Sequence, residues 1–134
     1  MSRKPAISVL IVEDEALIRL SMAADLDDQG YRVFEAKDAD EAIVILEREP
    51  SISILFTDVD MPGSMDGLRL SAAVRDRWPP VKIVVTSGKR LIEITDLPDG
   101  GVFFAKPYRS SEVIDSFRTL LGGERNSGPR SERR

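Results

Sequence analysis

Short apolar runs alternate with amphipathic segments along most of this chain, and this alternation restricts its fold more than any other feature. Five runs have the length and composition of β-strands, and they comprise residues 7–12, 31–36, 52–57, 82–86 and 102–105. Four segments carry an apolar stripe at helical spacing, and they comprise residues 15–29, about 39–49, 67–77 and 110–121. Such alternation predicts an α/β fold, here a doubly wound, five-stranded parallel sheet in the flavodoxin-like order 2-1-3-4-5 with helices on both faces.

Residues at the ends of the predicted helices have the chemistry of caps and breakers. Asp38 or Asp40 can accept a hydrogen bond at the start of the second helix, and Asp66 can do so at the start of the third. Gly30 is placed to end the first helix. Segment 89–97 is the least regular part, because it is rich in β-branched residues and precedes a Pro-Asp-Gly-Gly sequence. We predict one short, weak helix there.

The composition limits the chemistry that the chain can support. A chain of 134 residues fits one domain. It contains no Cys and no His, which excludes disulfides, thiolate or imidazole metal ligands and histidine-based acid–base catalysis. Any metal must therefore be held by oxygen, which favours hard cations such as Mg²⁺. The apolar runs are too short to span a membrane and the first residues lack the pattern of a signal peptide, so we expect a cytoplasmic protein without a membrane partner.

Charge is distributed unevenly between the body of the chain and its C-terminal residues. Residues 122–134 contain four Arg and two Glu, so the net charge of −4 for the whole chain leaves −6 on residues 1–121. An acidic body argues against a nucleic-acid partner. The Gly, Ser and Arg content of residues 122–134, without apolar periodicity, predicts a disordered tail after a domain at residues 1–121.

Polar side chains follow four of the five predicted strands at the point where each strand ends. They are Glu13 and Asp14 after the first strand, Asp58 after the third, Thr86 and Ser87 after the fourth, and Lys106 after the fifth. The carboxyl ends of parallel strands lie at one edge of a doubly wound sheet, where ligands bind. We therefore expect these side chains to converge on one site, with Asp58 as the leading functional residue.

Three carboxylates at one edge of a sheet require compensation. Two carboxylates about 4 Å apart repel by roughly 4 kcal/mol at an effective dielectric constant of 20, and Glu13, Asp14 and Asp58 would form three such pairs. This repulsion is comparable with the whole stability of a small domain, which is about 5–15 kcal/mol. A bound cation, Lys106 or protonation must offset it, and Mg²⁺ held by a few carboxylates and water is typical of such a site.

The combination of these motifs resembles the receiver domain of bacterial two-component response regulators. The resemblance covers about residues 6–121 and includes the loop sequence MPGSMDG. It implies that Asp58 accepts a phosphoryl group from a histidine of a sensor histidine kinase or of a histidine phosphotransfer protein. It also implies that Asp14 and Asp58 bind Mg²⁺ directly, that Glu13 acts through water, and that the main-chain carbonyl of Asp60 is a ligand.

The same resemblance implies a switch and a backbone conformation. Thr86 would hydrogen-bond the phosphoryl group, Lys106 would form an ion pair with it, and the peptide bond between Lys106 and Pro107 would be cis. Phe103 stands where the family has its switch aromatic residue, and it would fill the space that Thr86 vacates. A downstream protein would then bind through residues 89–121, where the weak segment after the fourth strand is expected to change.

Three features depart from the family pattern. The acidic pair is Glu13-Asp14 rather than the commoner Asp-Asp, which keeps the charge and moves one carboxylate by a methylene. The MPGSMDG loop is one residue longer than the usual form. Phe103 lacks the hydroxyl of the familiar tyrosine, so a switch at this position must work by packing.

Each of these residues also has an ordinary explanation. Acidic residues open helices and form turns, β-branched residues occur in strands, lysines extend into solvent and phenylalanines pack in cores. Taken singly, these explanations are better than the functional ones. Their coincidence at one edge of the sheet favours a functional site.

Other functions use some of the same residues. The sequence ILFTDVD resembles the first motif of haloacid-dehalogenase-type phosphatases, in which Asp58 would be the nucleophile and Asp60 the general acid or base. That motif normally opens its domain, whereas two strand–helix units precede it here. A pseudo-receiver scaffold is disfavoured because every phosphorylation residue is present, and a flavin site is disfavoured because no phosphate-cradling loop follows the first strand.

We therefore predict a single-domain response regulator that is a monomer or weak dimer. It transfers a phosphoryl group to its own Asp58 in a Mg²⁺-dependent step, hydrolyses it slowly, and is not expected to be an enzyme with an external substrate. Origin of the chain within a larger regulator or hybrid kinase is an alternative that the residues leave open.

Overall fold

The computed structural model describes residues 6–89 and 92–126 and contains a single five-stranded sheet in that part of the chain. In chain order the elements are β1 (Ser8–Val12), α1 (Ala16–Asp28), β2 (Arg32–Ala36), α2 (Ala39–Arg48), β3 (Ile52–Asp58), α3 (Gly67–Arg77), β4 (Lys82–Ser87), a 3-10 turn (Ile94–Asp96), β5 (Val102–Ala105) and α4 (Ser110–Asn126). Within the described residues no helix combines the length and the apolar composition needed to cross a membrane.

The sheet has the predicted order and direction. All neighbouring strands are parallel, and they are arranged β2-β1-β3-β4-β5. The central pair, β3 and β4, is registered so that Asp58 lies beside Thr86. The doubly wound α/β fold is thus confirmed, with the first and third strands adjacent.

Two apolar layers cover the two faces of the sheet. Successive residues of a strand point to opposite faces, so Leu10 and Leu55 join the layer under α2 and α3, whereas Ile11 and Phe56 join the layer under α1 and α4. In the second layer, the ring centroids of Phe56 and Phe117 are 5.9 Å apart in an edge-to-face arrangement. Because β1 and β3 are covered on both sides, their carboxyl ends are held on a rigid base.

The helix caps follow the sequence prediction closely. The Asp38 carboxylate accepts a hydrogen bond from the Glu41 backbone N–H at 2.9 Å, so Asp38 rather than Asp40 caps α2. Asp66 accepts a hydrogen bond from the Arg69 backbone N–H at 2.9 Å, and α3 has the predicted bounds. These caps satisfy backbone donors that have no partner within the helix.

The last helix extends further than the sequence predicted. We expected the helix to end at residue 121 and a disordered tail to follow, whereas α4 runs from Ser110 to Asn126. The predicted end of the helix was wrong, because Gly122 and Gly123 adopt helical conformations and a glycine favours helix termination chiefly where it takes a positive φ. The domain boundary at residue 121 and the disordered tail remain predictions. A helical glycine costs only about 1 kcal/mol relative to alanine. Residues 127–134 of the predicted tail lie outside the described residues.

The segment after β4 forms even less helix than predicted. We expected one short helix within residues 89–97, and the described part contains a three-residue 3-10 turn at Ile94–Asp96. Ile94 is 73% exposed, so its apolar side chain gives this turn little burial. The turn is held by local capping, in which the Glu93 backbone N–H donates to the Asp96 carboxylate at 3.0 Å.

At Gly67, the start of α3 comes close to the backbone at the end of β3. A Cβ atom at this position would overlap the backbone carbonyl oxygen of Asp58 and would lie 2.8 Å from the Cα of Val59. Gly67→Ala should therefore push α3 away from the strand end and lower the free energy of unfolding by about 1–3 kcal/mol. Thermal or urea unfolding followed by circular dichroism measures this change.

The control for this prediction is Arg69→Ala, an exposed position in the first turn of the same helix. It should change the free energy of unfolding by less than about 0.5 kcal/mol. Equal stability of Gly67→Ala and wild type would show that α3 does not need this close approach.

Candidate functional site

Three carboxylates meet at the carboxyl ends of β1 and β3. Glu13, Asp14 and Asp58 each offer an oxygen, and these oxygens lie within 4.8 Å of one another. Glu13 and Asp58 are each only 4% exposed, whereas Asp14 is exposed to solvent. The group therefore has two buried acids and one acid open to solvent, and its all-oxygen donor set suits a hard divalent cation such as Mg²⁺.

Lys106 places a positive charge among these acids. Its Nζ atom is 2.9 Å from Glu13 Oε1, 3.3 Å from Asp58 Oδ2 and 3.9 Å from Glu15 Oε1. Its peptide bond to Pro107 is cis, the conformation that the resemblance implied. The sheet thus brings the end of β5 to the ends of β1 and β3, as the strand-end pattern indicated.

Burial and charge set the protonation of the cluster. Removal from water raises the pKa of Glu13 above 4.5 and that of Asp58 above 3.8, although Lys106 opposes both shifts. Burial acts to lower the pKa of Lys106, but its hydrogen bond with Glu13 and the charge of Asp58 raise that pKa above 10.5. Lys106 is therefore a permanent cation beside two carboxylates that burial makes costly to ionise.

Arg19 anchors the loop that carries Glu13, and the sequence analysis did not identify it. Its Nη1 donates to the backbone carbonyl of Glu13 at 2.8 Å, and its Nε donates to Glu35 Oε1 at 3.1 Å. Glu13 Oε2 also accepts the Glu15 backbone N–H at 3.1 Å. No spacing in the sequence indicates the contact of Arg19 with Glu35, because Arg19 lies on α1 and Glu35 lies on β2.

Thr86 and Phe103 occupy separate positions on the sheet. Thr86 is 2% exposed and lies beside Asp58 in the register of β3 and β4. Phe103 is half-buried beside Val85 and packs on the layer under α2 and α3, whereas Phe104 is the registered neighbour of Thr86. Thr86 and Phe103, the predicted switch residues, therefore lie on neighbouring strands but are not register partners.

Asp60 and Ser87 form a contact that sequence reasoning also missed. The Ser87 hydroxyl donates to Asp60 Oδ2 at 2.7 Å. The Asp60 backbone N–H donates to Asp58 Oδ1 at 3.3 Å, so the loop after β3 folds back on the central carboxylate. The hydroxyl-to-carboxylate contact joins the loops after β3 and β4.

Comparisons with known proteins agree with this geometry. A family model described as response regulator receiver domain matches residues 9–117. The hydrogenase transcriptional regulatory protein HoxA of Cupriavidus necator is 34% identical over 125 residues, which cover 90% of this chain and 25% of that protein. The aerobic respiration control protein ArcA of Escherichia coli is 32% identical over 128 residues, which cover 94% of this chain and 53% of that protein. The chain thus spans between about a quarter and about half of these relatives.

A solved structure gives the same result for the fold. The crystal structure of a response regulator receiver protein from Sinorhizobium medicae matches with a TM-score of 0.80 and 28% identity, and the match covers 87% of this chain and 95% of that chain. A receiver domain from the hybrid histidine kinase CckA matches with a TM-score of 0.72 and 31% identity, covering 85% of this chain and 98% of that chain.

Magnesium should stabilise the protein if the three carboxylates hold it. A ligand at a concentration one hundred times its Kd stabilises the folded state by about 2.7 kcal/mol, so saturating Mg²⁺ should raise the thermal midpoint by several degrees. Asp14→Asn removes the exposed ligand and should reduce this rise. Differential scanning calorimetry measures it, and a midpoint that does not respond to Mg²⁺ would contradict a metal site here.

The pH dependence of this effect has a defined sign. Because the pKa values of Glu13 and Asp58 are raised in the folded state, the metal-free protein gains stability from protonation at acidic pH and loses it as pH rises through the raised pKa values. Mg²⁺ competes with those protons. The rise in midpoint should therefore grow as pH increases from acidic values, because fewer protons then compete with the ion for Glu13 and Asp58.

Proposed function

Since the chain belongs to the response regulator receiver domain family, we propose that it accepts a phosphoryl group on Asp58 and signals through phosphorylation-controlled protein binding. The single observation that carries this proposal is the position of Lys106 Nζ, 3.3 Å from a carboxylate that is 4% exposed and grouped with two further acids. A solvated aspartate that only formed a turn would not need this burial or this partner.

The residues support a direct transfer to Asp58. A carboxylate oxygen of Asp58 attacks phosphorus, the bond from phosphorus to the donor histidine nitrogen breaks, and that nitrogen keeps the electron pair. Lys106 stabilises the charge on the phosphoryl oxygens because its ammonium group already lies beside the acceptor. Glu13, Asp14, Asp58 and the backbone carbonyl of Asp60 would hold Mg²⁺, which supplies further positive charge to those oxygens when bound.

The proposed partner in this step is a sensor histidine kinase or a histidine phosphotransfer protein. A groove of about 660 Å³ lies beside Lys106. On its α1 side it is lined by the apolar Leu17, Ile18 and Met22 together with Ser21 and Asp25, and Leu17 is 84% exposed. Such a surface next to the acceptor suits a protein donor better than a small solute. Phosphotransfer profiling against candidate kinases tests this, and transfer from none of them would contradict it.

We also propose that the chain acts in the cytoplasm as a monomer or weak dimer without a nucleic-acid contact of its own. Its relatives HoxA and ArcA are longer regulators, so action as a single domain is part of this proposal. Cell fractionation and analytical ultracentrifugation test these points, and a stable dimer at micromolar concentration would contradict the proposed state.

A phosphatase of the haloacid-dehalogenase type is the alternative that uses the same acids. Its first motif normally opens its domain, whereas two strand–helix units precede Asp58 here, and the end of β1 supplies Glu13 and Asp14 to the same cluster. We therefore propose self-phosphorylation with slow hydrolysis rather than turnover of an external substrate. Sustained turnover of p-nitrophenyl phosphate that depends on Asp60 would favour the phosphatase over the phosphoryl acceptor.

Phosphorylation of Asp58 should be directly observable. Acetyl phosphate with Mg²⁺ should add the mass of one phosphoryl group, and Asp58→Asn should abolish the addition because the amide is a poor nucleophile. Asp76→Asn, an exposed acid on α3, is the matched control and should be labelled like wild type. Intact-protein mass spectrometry measures the label, and its persistence in Asp58→Asn would refute the assignment.

The switch is proposed to begin at Thr86. A phosphoryl group carries about two negative charges, and the Thr86 hydroxyl lies on the neighbouring strand end, where it can turn to donate a hydrogen bond. A 10- to 100-fold population shift needs only about 1.4–2.8 kcal/mol, so one charge-assisted hydrogen bond with repacking is sufficient. The response should reach segment 89–97, where Ile94 is largely exposed.

Thr86→Ala should leave Asp58 reactive but uncouple it from this response. When beryllofluoride, a phosphoryl mimic, is added to wild type, backbone amide chemical shifts should change throughout residues 86–110. In Thr86→Ala, fewer of these residues should show a change. Phe103→Ala should reduce the spread more than Phe104→Ala if Phe103 is the responding ring. Identical responses of wild type and Thr86→Ala would contradict the proposed switch.

A further inference from the structure

Arg19 joins the loop after β1 to the edge strand β2. It lies near the start of α1, and its guanidinium can reach back to the loop because helix side chains lean towards the N-terminus of their helix. Its Nη1 donates to the backbone carbonyl of Glu13 at 2.8 Å, and its Nε donates to Glu35 Oε1 at 3.1 Å. The Arg19 side chain is only 19% exposed. One guanidinium therefore bridges the loop that carries two of the acids and a second strand.

The hydrogen bond from Arg19 acts on the peptide group that connects Glu13 to Asp14, because the accepting carbonyl belongs to that group. Glu13 has further anchors, since its backbone N–H donates to the Ala36 carbonyl at 3.0 Å and its carboxylate contacts Lys106 Nζ at 2.9 Å. The Asp14 carboxylate is exposed, and within the described residues it has no hydrogen bond or ion pair. Its place in the carboxylate cluster therefore depends chiefly on the direction of its backbone.

We propose that Arg19 is a positioning residue whose hydrogen bond to the Glu13 carbonyl holds the Asp14 carboxylate where it can bind Mg²⁺. This inference rests on the proposed function, because it assumes that the site binds this ion. Mg²⁺ demands nearly ideal octahedral geometry, so a ligand on a loop with more freedom binds it less well. Loss of a partner that orients a metal ligand typically lowers metal affinity by about 10- to 100-fold.

Position and charge predict opposite results for Arg19→Met, which keeps an aliphatic stem but removes the N–H donors and the positive charge. Loss of a cation near the site would by itself strengthen Mg²⁺ binding, whereas loss of the anchored peptide should weaken it. We expect the Kd for Mg²⁺, measured by amide chemical shifts, to rise about tenfold. In the metal-free protein, the order parameter of the Asp14 amide from ¹⁵N relaxation should fall, because the peptide has lost its anchor.

Glu35 provides a test that leaves the Arg19 side chain in place, and it applies even if Arg19→Met does not fold. Glu35→Gln removes a charge but keeps an oxygen that can accept the Arg19 Nε–H, so the Kd for Mg²⁺ should change by less than about twofold. Glu35→Ala removes the acceptor and frees the guanidinium to turn away, so the Kd should rise by at least about threefold. In an Arg19→Met background, Glu35→Ala should have no further effect.

Arg77→Met is the matched control for the loss of an arginine. Arg77 is the last residue of α3, and its Nη2 forms an ion pair with Glu47 Oε2 at 2.8 Å. The pair joins two helices, as Arg19 joins a helix to a strand, but it lies at the end of α3 remote from the carboxylate cluster. The Kd for Mg²⁺ should therefore stay at the wild-type value in this variant.

Failure of the inference can be told apart from failure of the proposed function. If wild type binds no Mg²⁺, both fail together. If wild type binds Mg²⁺ and Arg19→Met binds it equally or more tightly, only the inference is overturned. The inference is also overturned if Arg77→Met weakens binding as much as Arg19→Met, because affinity would then follow general stability. An equal effect of Glu35→Ala with and without Arg19 would overturn it too, because Glu35 would then act independently.

Discussion

The site depends on one interaction, the contact of the Lys106 ammonium with the Glu13 and Asp58 carboxylates. These groups lie at the ends of three different strands, and the lysine and Glu13 are 93 residues apart in the chain. Both acids are almost completely buried, so each has lost most of the water that would stabilise its charge. Without a cation at this edge, the folded state would have to protonate or expose them.

The same electrostatic arrangement suits a phosphoryl acceptor. A buried carboxylate next to a permanent cation can attack an electrophilic phosphorus while the cation stabilises the oxygens that receive charge. The parallel sheet maintains this geometry because β1 and β3 are covered on both faces. The loops and the short 3-10 turn between β4 and β5 lie outside this covered sheet.

Local chemistry explains which parts of the fold the sequence predicted well. The bounds of α3 were predicted because Asp66 caps the helix and Trp78-Pro79-Pro80 follows its last residue. The end of α4 was predicted wrongly because paired glycines often follow the last residue of a helix. Whether they end it depends on their backbone conformation, which the sequence does not give. In segment 89–97 the apolar residues have no helical stripe, so the prediction of a short helix had no periodicity to support it.

The candidate site also has some features that the sequence predicted and others that it did not. Strand-end residues such as Asp58 and Lys106 could be predicted to meet, because parallel strands place their carboxyl ends at one edge. Contacts that depend on side-chain direction were not predicted, and they include the hydrogen bonds of Arg19 with Glu35 and of Ser87 with Asp60. These pairs are distant in sequence and follow no periodic pattern, so their identification requires the folded coordinates.

Chemical trapping of the phosphorylated residue tests the central claim most directly. An acyl phosphate is reduced by borohydride, and reduction of phosphorylated Asp58 yields homoserine at that position, which peptide mapping by mass spectrometry can locate. We predict homoserine at residue 58 after treatment with a phosphoryl donor and Mg²⁺, and none without the donor. Homoserine at another aspartate, or a phosphoryl group that resists borohydride, would show that Asp58 is not the acceptor.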